Sequence, residues 1–83
     1  MTHDEIRAVV MQTLGTIAPE ANLSLLKPKG RLREQLDLDS MDFLNFLIAL
    51  NGKLQVEIPE RDYSRMATLD GCVEYLETLL AAR

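Results

Sequence analysis

The sequence predicts a single all-α domain over residues 1–83, a bundle of three longer helices and one short helix. A chain of 83 residues fits one small domain and leaves no room for a second. Apolar residues recur at three- and four-residue steps in three separate segments, which is the spacing of a buried helix face. Only one segment alternates like a β-strand, and no second segment offers it a partner. A helical bundle is therefore favoured over a sheet.

The composition argues against several classes of protein. The hydrophobic fraction of 47% is ordinary for a folded chain, and a net charge of −4 argues against nucleic acid as the main ligand. The single cysteine, Cys72, cannot form an internal disulfide, and the single histidine, His3, cannot build a His-rich metal site. No apolar run is long enough to span a membrane, and the N-terminus lacks a signal-peptide core. We therefore expect a cytoplasmic protein, and we expect it to be monomeric.

The first helix is predicted to begin near Thr2, because Thr2 and Glu5 have the spacing of a capping box. Gly15 and Pro19 mark its end. Its apolar face recurs at helical spacing and consists of Ile6, Val9, Val10, Leu14 and Ile17.

Residues 18–35 are predicted to form a long connection, packed down by Leu23, Leu25 and Leu26. A structureless connection of this length is unusual in a compact domain and is often functional. Its charges are sorted: a basic run precedes an acidic one. This order indicates either a solvated loop that meets an acidic helix start, or a polar surface that orients a partner. The bases are Lys27, Lys29, Arg31 and Arg33, and the acids are Glu34, Asp37, Asp39 and Asp42.

The second helix is predicted to run from Asp39 or Ser40 to Asn51, with Asp39 as its cap and Gly52 as its terminator. It carries two apolar stripes, whereas a surface helix needs only one. The helix is therefore either buried nearly all round or keeps an exposed contact patch. One stripe is Phe43, Phe46, Leu47, Leu50 and Leu54, and the other is Met41, Leu44 and Ile48.

The rest of the chain is predicted to be a connector and two more helices. Residues 54–58 read as an extended connector, and Pro59 permits a short helical turn to about Arg65. Thr68 can cap the last helix, on whose inner face Cys72 is expected to be a small buried hydrophobe. The apolar stripe of that helix is Leu69, Cys72, Val73, Leu76, Leu79 and Leu80.

The segment most indicative of function is LDLDSMDFL, from Leu36 to Leu44. One interpretation is purely structural: Asp39 or Ser40 caps the helix, as such residues usually do. In the other, the Ser40 hydroxyl is a modification site. Free N–H groups and partial positive charge at a helix N-terminus stabilise an attached phosphodiester.

The same segment resembles the attachment motif of acyl carrier proteins, usually written D-S-L. The resemblance extends over nearly the whole chain, from an amphipathic first helix through a long first loop to a last helix. It implies the fold of that family, a four-helix bundle with a short third helix and a long first loop. Beside the motif, the matching features are the spacing of Leu32 and Leu36, the step from Ile58 to Pro59, and Thr68.

The resemblance implies that a phosphopantetheinyl transferase moves 4′-phosphopantetheine from coenzyme A onto Ser40. Asp39 matches the family aspartate that helps position the serine and the metal of the modifying enzyme. Met41 occupies a position where leucine is commoner. The thiol of the arm would carry acyl or related groups as thioesters to acyl-loading and acyl-processing enzymes. The chain itself would then be a carrier without catalytic residues.

This sequence departs from the bacterial fatty-acid carriers on the second helix, where Asn45, Asn51 and Gly52 replace the usual glutamates. Asp37 and Leu38 likewise stand where glycine and alanine are usual. We therefore expect a specialised carrier for a dedicated lipid, polyketide or similar pathway. Its partner-binding surface is expected on the solvent side of the second helix, at Met41, Leu44, Asn45 and Ile48.

Two alternatives stay open. One is an unmodified helical module that binds a partner through the stripe of Met41, Leu44 and Ile48. The other is a carrier of the aminoacyl or D-alanyl type, which shares the fold and the serine. A catalytic site is not expected, because the carboxylates cluster on the surface with nothing to hold a substrate.

Overall fold

The computed structural model describes residues 1–82 and is built from helices. Four α-helices follow one another as α1 (His3–Ile17), α2 (Leu32–Gln35), α3 (Ser40–Leu54) and α4 (Leu69–Ala81). Two 3₁₀ helices, Leu23–Leu25 and Glu60–Met66, lie in the connections before α2 and before α4. Within the described residues the only β-type pairing is an isolated bridge between Arg31 and Thr68. The predicted bundle of three longer helices and a short one before the last is confirmed.

The long helices pack around one apolar core. Helix α1 packs against both α3 and α4, and α4 also packs against the second 3₁₀ helix. Phe46 is the largest residue that is completely buried. Burial of these side chains is the main stabilising contribution, at about 25 cal/mol for each Å² of apolar surface removed from water. The centre of the core is formed by Ile6, Val10, Leu14, Leu32, Phe46, Leu47, Leu50, Met66, Leu69, Cys72, Val73 and Leu76.

The predicted caps at the starts of the long helices are confirmed. Thr2 Oγ1 accepts a hydrogen bond from the Glu5 N–H at 3.1 Å, and the Glu5 carboxylate accepts one from the Thr2 N–H at 2.8 Å. These hydrogen bonds from Thr2 lower the pKa of Glu5. Thr68 Oγ1 accepts from the Gly71 N–H at 2.9 Å. Local pairs three residues apart therefore fix where α1 and α4 begin.

The predicted end of the second long helix is wrong. Helix α3 continues through Gly52 to Leu54, and Gln55 ends it in the left-handed conformation at φ 55°. Leu54 is only 6% exposed, so the extra turn buries a leucine in the core. That burial outweighs the tendency of Gly52 to end the helix. The connector consequently begins at Val56, after the turn at Gln55, rather than at Leu54.

The long connection is ordered by two features that the sequence reading missed. The first 3₁₀ helix and α2 lie within it, and both are too short to show a hydrophobic period. Backbone bonds also tie it to the segment around the start of α4: Leu32 N–H donates to the Ala67 carbonyl at 2.8 Å, and Asp70 N–H donates to the Pro28 carbonyl at 3.0 Å. Leu23 and Leu26 pack against the core as expected, but Leu25 is 74% exposed, so its predicted packing is wrong.

Two kinds of feature are absent from the described residues. None of their helices has both the length and the apolar character needed to cross a membrane. Residues 1–82 also contain no group of three or more His, Cys, Asp or Glu side chains arranged to hold a metal ion.

Candidate functional site

Ser40 is the first residue of α3, and its side chain is exposed. The helix is capped by its neighbour: Asp39 Oδ1 accepts a hydrogen bond from the Asp42 N–H at 2.8 Å. Asp42 Oδ2 accepts in return from the Asp39 N–H at 3.3 Å, which completes a capping box. The Ser40 hydroxyl is therefore not needed to cap the helix and faces solvent, as a modifiable group must.

The turn before Ser40 explains one unusual residue of the motif. Asp37 has a φ of 52°, in the left-handed region that favours glycine, and Asp is among the few other residues that adopt it readily. Leu38 N–H then donates to the Arg33 carbonyl at 2.9 Å, the closing bond of a Schellman motif at the end of α2. Leu38 itself is 7% exposed and anchors the turn. This turn brings the start of α3 beside α2.

Arg33 lies next to Ser40, a contact that the sequence reading did not anticipate. Its Nη2 donates to Ser40 Oγ at 3.4 Å, and its Nε donates to the Leu38 carbonyl at 3.4 Å. Its guanidinium carbon is 6.0 Å from the centre of the Phe43 ring. The sequence signal for this contact was the sorted charge run, in which Arg33 is the last base before the motif.

The two apolar stripes of α3 differ in their burial. Phe46, Leu47, Leu50 and Leu54 are buried in the core, and Phe43 is half-buried with its ring centre 6.0 Å from that of Phe46. The second stripe faces solvent: Met41 is 63%, Leu44 36% and Ile48 55% exposed. Of the two possibilities left by the sequence, the structure therefore selects the exposed apolar patch.

The uncharged residues of α3 do not all share that patch. Asn45 and Gly52 are exposed, but Asn51 is half-buried and its side-chain oxygen is inaccessible. The missing charge at position 51 therefore bears less on the exposed surface of α3 than the missing charges at positions 45 and 52.

Two grooves flank the motif. A groove of about 850 Å³ runs between α2, the start of α3 and the second 3₁₀ helix, and its lining includes Arg31, Arg33, Phe43 and Tyr63. A smaller groove of about 530 Å³ lies on the other side, towards the end of α1. The charged residues lining the smaller groove are all acids, Glu20, Asp37 and Asp42. The larger groove also contains two acids, Glu34 and Asp37, but it is the one of the two that contains bases, so it is the more favourable for an anion.

The other chemically reactive side chains have structural roles. Burial raises the pKa of the Cys72 thiol to about 12, and its Sγ donates to the Met66 carbonyl at 3.3 Å. Burial and a 2.7 Å hydrogen bond from its hydroxyl to Asp62 raise the pKa of Tyr75, and the Arg65 guanidinium lies over its ring. His3 Nδ1 is 2.6 Å from Glu77 Oε1 at an exposed position, where it links the ends of the chain. The prediction that Cys72 is a small buried hydrophobe is confirmed.

A comparison with known protein families matches the part of the chain that contains Ser40 and the two grooves beside it. A family model described as a phosphopantetheine attachment site matches residues 4–76, which is most of the chain. The cofactor of the domain is therefore 4′-phosphopantetheine, as the sequence predicted.

Curated relatives agree with that match. An acyl carrier protein of Helicobacter hepaticus is 33% identical over 76 residues, covering 92% of this chain and 93% of the relative. An acyl carrier protein of Campylobacter jejuni is 31% identical over 78 residues, covering 94% and 95%. One of Wolinella succinogenes is 33% identical over 75 residues, covering 90% and 92%. The similarity thus spans almost the full length of both partners in each comparison.

Proposed function

Because the chain belongs to the acyl carrier protein family, we propose that it carries acyl or related groups as thioesters on a 4′-phosphopantetheine arm attached at Ser40. The observation that supports Ser40 as the attachment residue is its position at the start of α3. Its side chain is exposed, and Asp39 rather than Ser40 caps the helix. Asp39 and Met41 flank it as the rest of the attachment motif.

The residues around Ser40 fit such an arm. The hydroxyl is exposed, the first turn of α3 offers backbone N–H groups, and a guanidinium lies beside the oxygen that would be esterified. All three favour a phosphodiester, which is an anion. The bound arm supplies a thiol that holds acyl groups as thioesters.

Attachment is a group transfer carried out by a phosphopantetheinyl transferase. A bond forms between Ser40 Oγ and the phosphorus next to the pantetheine, and the pyrophosphate bond of coenzyme A breaks. Adenosine 3′,5′-bisphosphate leaves, and the hydroxyl proton is released to solvent. Asp39 keeps the helix start intact throughout, since its capping bonds do not involve the Ser40 hydroxyl.

Acyl chemistry then belongs to partner enzymes, and the chain serves as the non-catalytic holder. A tether raises the local concentration of the cargo at each partner's active site without any new contact. The one cysteine of the chain supports this division of labour, because burial raises the pKa of Cys72 to about 12 and leaves it a poor nucleophile.

Partner enzymes would dock on the exposed stripe of α3, formed by Met41, Leu44 and Ile48 with Asn45 beside it. This patch begins next to Ser40, so an enzyme seated there holds the arm at its active site. The exposed fractions of 63% for Met41 and 55% for Ile48 leave large apolar surfaces to bury. Apolar anchors of this kind can dominate a small interface.

The pathway would be a dedicated one rather than general fatty-acid synthesis. Asn45 and Gly52 are exposed on α3 without charge, so an enzyme that recognises an acidic helix finds little there. Carriage of aminoacyl or D-alanyl groups is the alternative cargo class. The cytoplasmic location, the monomeric state and the single-domain organisation stay predictions.

The test is the intact mass after incubation with coenzyme A and a broad-specificity phosphopantetheinyl transferase. We expect the wild type to gain one phosphopantetheine and Ser40→Ala to gain none. Ser64→Ala, which removes another exposed serine, is the matched control and should be modified fully. Ser40→Ala should lose less than about 1 kcal/mol of stability, since Asp39 still caps α3.

Thiol counting gives a second readout on the same samples. Under native conditions a maleimide should label no thiol in the apo form and one in the holo form, because Cys72 is buried. Denaturation should expose one further thiol in each. A wild type that gains no mass would favour the unmodified interaction module, and a modified Ser40→Ala variant would assign the arm to another residue.

A further inference from the structure

The Arg33 side chain is held between Ser40, Leu38 and Phe43 on the side of the motif nearest α2. Two of its contacts are to Leu38, whose N–H binds the Arg33 carbonyl and whose carbonyl accepts from Arg33 Nε. Arg33 is thus held by Leu38 through its backbone carbonyl and through its side-chain Nε. Its Nη2 donates to Ser40 Oγ at 3.4 Å.

The charge of Arg33 is not neutralised by a neighbouring carboxylate. Among residues 1–82, no acid lies within ion-pair distance of it, whereas Arg31 in the same run pairs with Glu34 at 3.7 Å. An exposed guanidinium beside a hydroxyl gains little from that neutral partner. It gains far more from an anion, because charge-assisted hydrogen bonds are about twice as strong as neutral ones.

We infer that Arg33 is a positioning residue for the phosphopantetheine arm, pairing with its phosphodiester and directing it into the groove between α2, α3 and the second 3₁₀ helix. The inference rests on the proposed attachment at Ser40. A phosphodiester on Ser40 Oγ presents its charged oxygens next to the atom that Arg33 already contacts. The planar, two-pronged guanidinium matches such a group better than the compact ammonium of lysine.

The two grooves beside the motif support this direction. The larger groove is lined by the bases Arg31 and Arg33, the acids Glu34 and Asp37, and the rings of Phe43 and Tyr63. Arg31 pairs with Glu34, so Arg33 is the base of this groove that has no carboxylate partner among the described residues. The smaller groove on the opposite side has only acids among its charged lining residues, Glu20, Asp37 and Asp42. Asp37 lines both grooves, so the difference between them comes from Glu20 and Asp42 in the smaller groove and from Arg33 in the larger one.

The test compares apo and holo forms of the wild type with those of three variants. Arg33→Gln removes the charge, and Arg33→Lys keeps the charge but loses the planar fork. Lys29→Gln is the matched control, an exposed base of the same run that does not line the groove. Intact mass first establishes that each protein is fully loaded, and then the thermal midpoints of the apo and holo forms are measured at low salt.

The holo-minus-apo difference in thermal midpoint should be about 4 °C larger in the wild type than in Arg33→Gln. Taking this difference cancels any direct effect of the substitution on the fold. Arg33→Lys should retain part of the wild-type difference and Lys29→Gln all of it. Added salt should reduce the wild-type difference in thermal midpoint towards that of Arg33→Gln, because salt screens an exposed charge pair.

NMR of the same samples locates the arm. The ³¹P shift of the holo protein should change in Arg33→Gln and not in Lys29→Gln. Loading of the wild type should shift the ring signals of Phe43 and Tyr63, which line the larger groove, and leave Ile17 and Ala18 of the smaller groove unchanged.

The outcomes separate this inference from the proposed function. A wild type that loads but shows the same midpoint difference and ³¹P shift as Arg33→Gln overturns the role of Arg33 and leaves the attachment at Ser40 standing. Shifts at Ile17 and Ala18 in place of Phe43 and Tyr63 overturn the direction of the arm. A wild type that never gains the mass overturns both.

Discussion

Helices α3 and α4 both pack against α1, and both are rich in apolar residues, yet they present different surfaces to solvent. Every large apolar residue of α4 is buried or half-buried. Helix α3 buries one stripe equally well and leaves a second one, Met41, Leu44 and Ile48, in solvent.

The difference separates the apolar residues that fold the protein from those that folding does not require. Helix α4 has one apolar stripe, which is all that a helix needs to pack one face against the core. Helix α3 begins at Ser40, the proposed attachment residue, and its second stripe has no partner within the described chain. An exposed apolar patch in that position suits the partner docking that we propose.

The largest effect should come from removing equivalent apolar bulk on the two helices. Leu76→Ala on α4 should lower the free energy of unfolding by about 2–5 kcal/mol, because Leu76 is completely buried and its loss leaves a cavity. Ile48→Ala on α3 should change it by less than about 0.5 kcal/mol, since Ile48 is 55% exposed. Denaturant unfolding followed by circular dichroism measures both values. Equal losses would mean that the outer stripe of α3 is structural.

A second contrast uses the glycine within each helix. A Cβ at Gly71 of α4 would lie 2.6 Å from the Arg65 carbonyl oxygen, so Gly71→Ala should destabilise by about 1–3 kcal/mol. A Cβ at Gly52 of α3 would meet nothing within 4 Å, so Gly52→Ala should stabilise by about 0.5–1 kcal/mol through helix propensity. Thermal midpoints of the two variants should therefore move in opposite directions. A rise for Gly71→Ala would show that the close approach to Arg65 is easily relaxed.

The third contrast concerns partner docking, and the substitutions that test it leave the fold unchanged. Met41→Ala and Ile48→Ala should each lower kcat/KM of a cognate acyl-loading enzyme by about tenfold, the loss of a moderate apolar anchor. Leu25→Ala is the control, because Leu25 is a 74% exposed leucine outside α3. Turnover should also depend only weakly on salt. A steep salt dependence, or equal losses for Leu25→Ala, would assign docking to charge or to another face.

Much of the site could be read from the sequence because it is built from local interactions. The capping pairs Thr2–Glu5 and Asp39–Asp42 are three residues apart, so their geometry follows once a helix forms. The apolar periods of α1 and α4 likewise identify the faces that the core requires. The same reasoning placed Ser40 at the start of a helix with Asp39 as its cap.

Tertiary structure decided what depends on contacts distant in sequence. Helix α3 continues beyond Gly52 because the additional turn buries Leu54, although a glycine usually ends a helix. Backbone hydrogen bonds of Pro28 and Leu32 to the region around α4 order the long connection. The two helices within it are too short to show a hydrophobic period in the sequence. Neither outcome is visible in a window of ten or fifteen residues, because the competing energies come from residues far along the chain.

The sequence by itself determined a helical bundle, its caps and a serine at a helix start, since hydrogen bonds and apolar periods within a turn or two specify them. Only the tertiary structure decided whether the second stripe of α3 is buried or exposed, and which base lies beside Ser40. The first depends on where α1 and α4 leave room, and the second on the left-handed turn at Asp37, which brings Arg33 beside Ser40. A stripe and a charge run are properties of the sequence, but their exposure and their neighbours are set by packing.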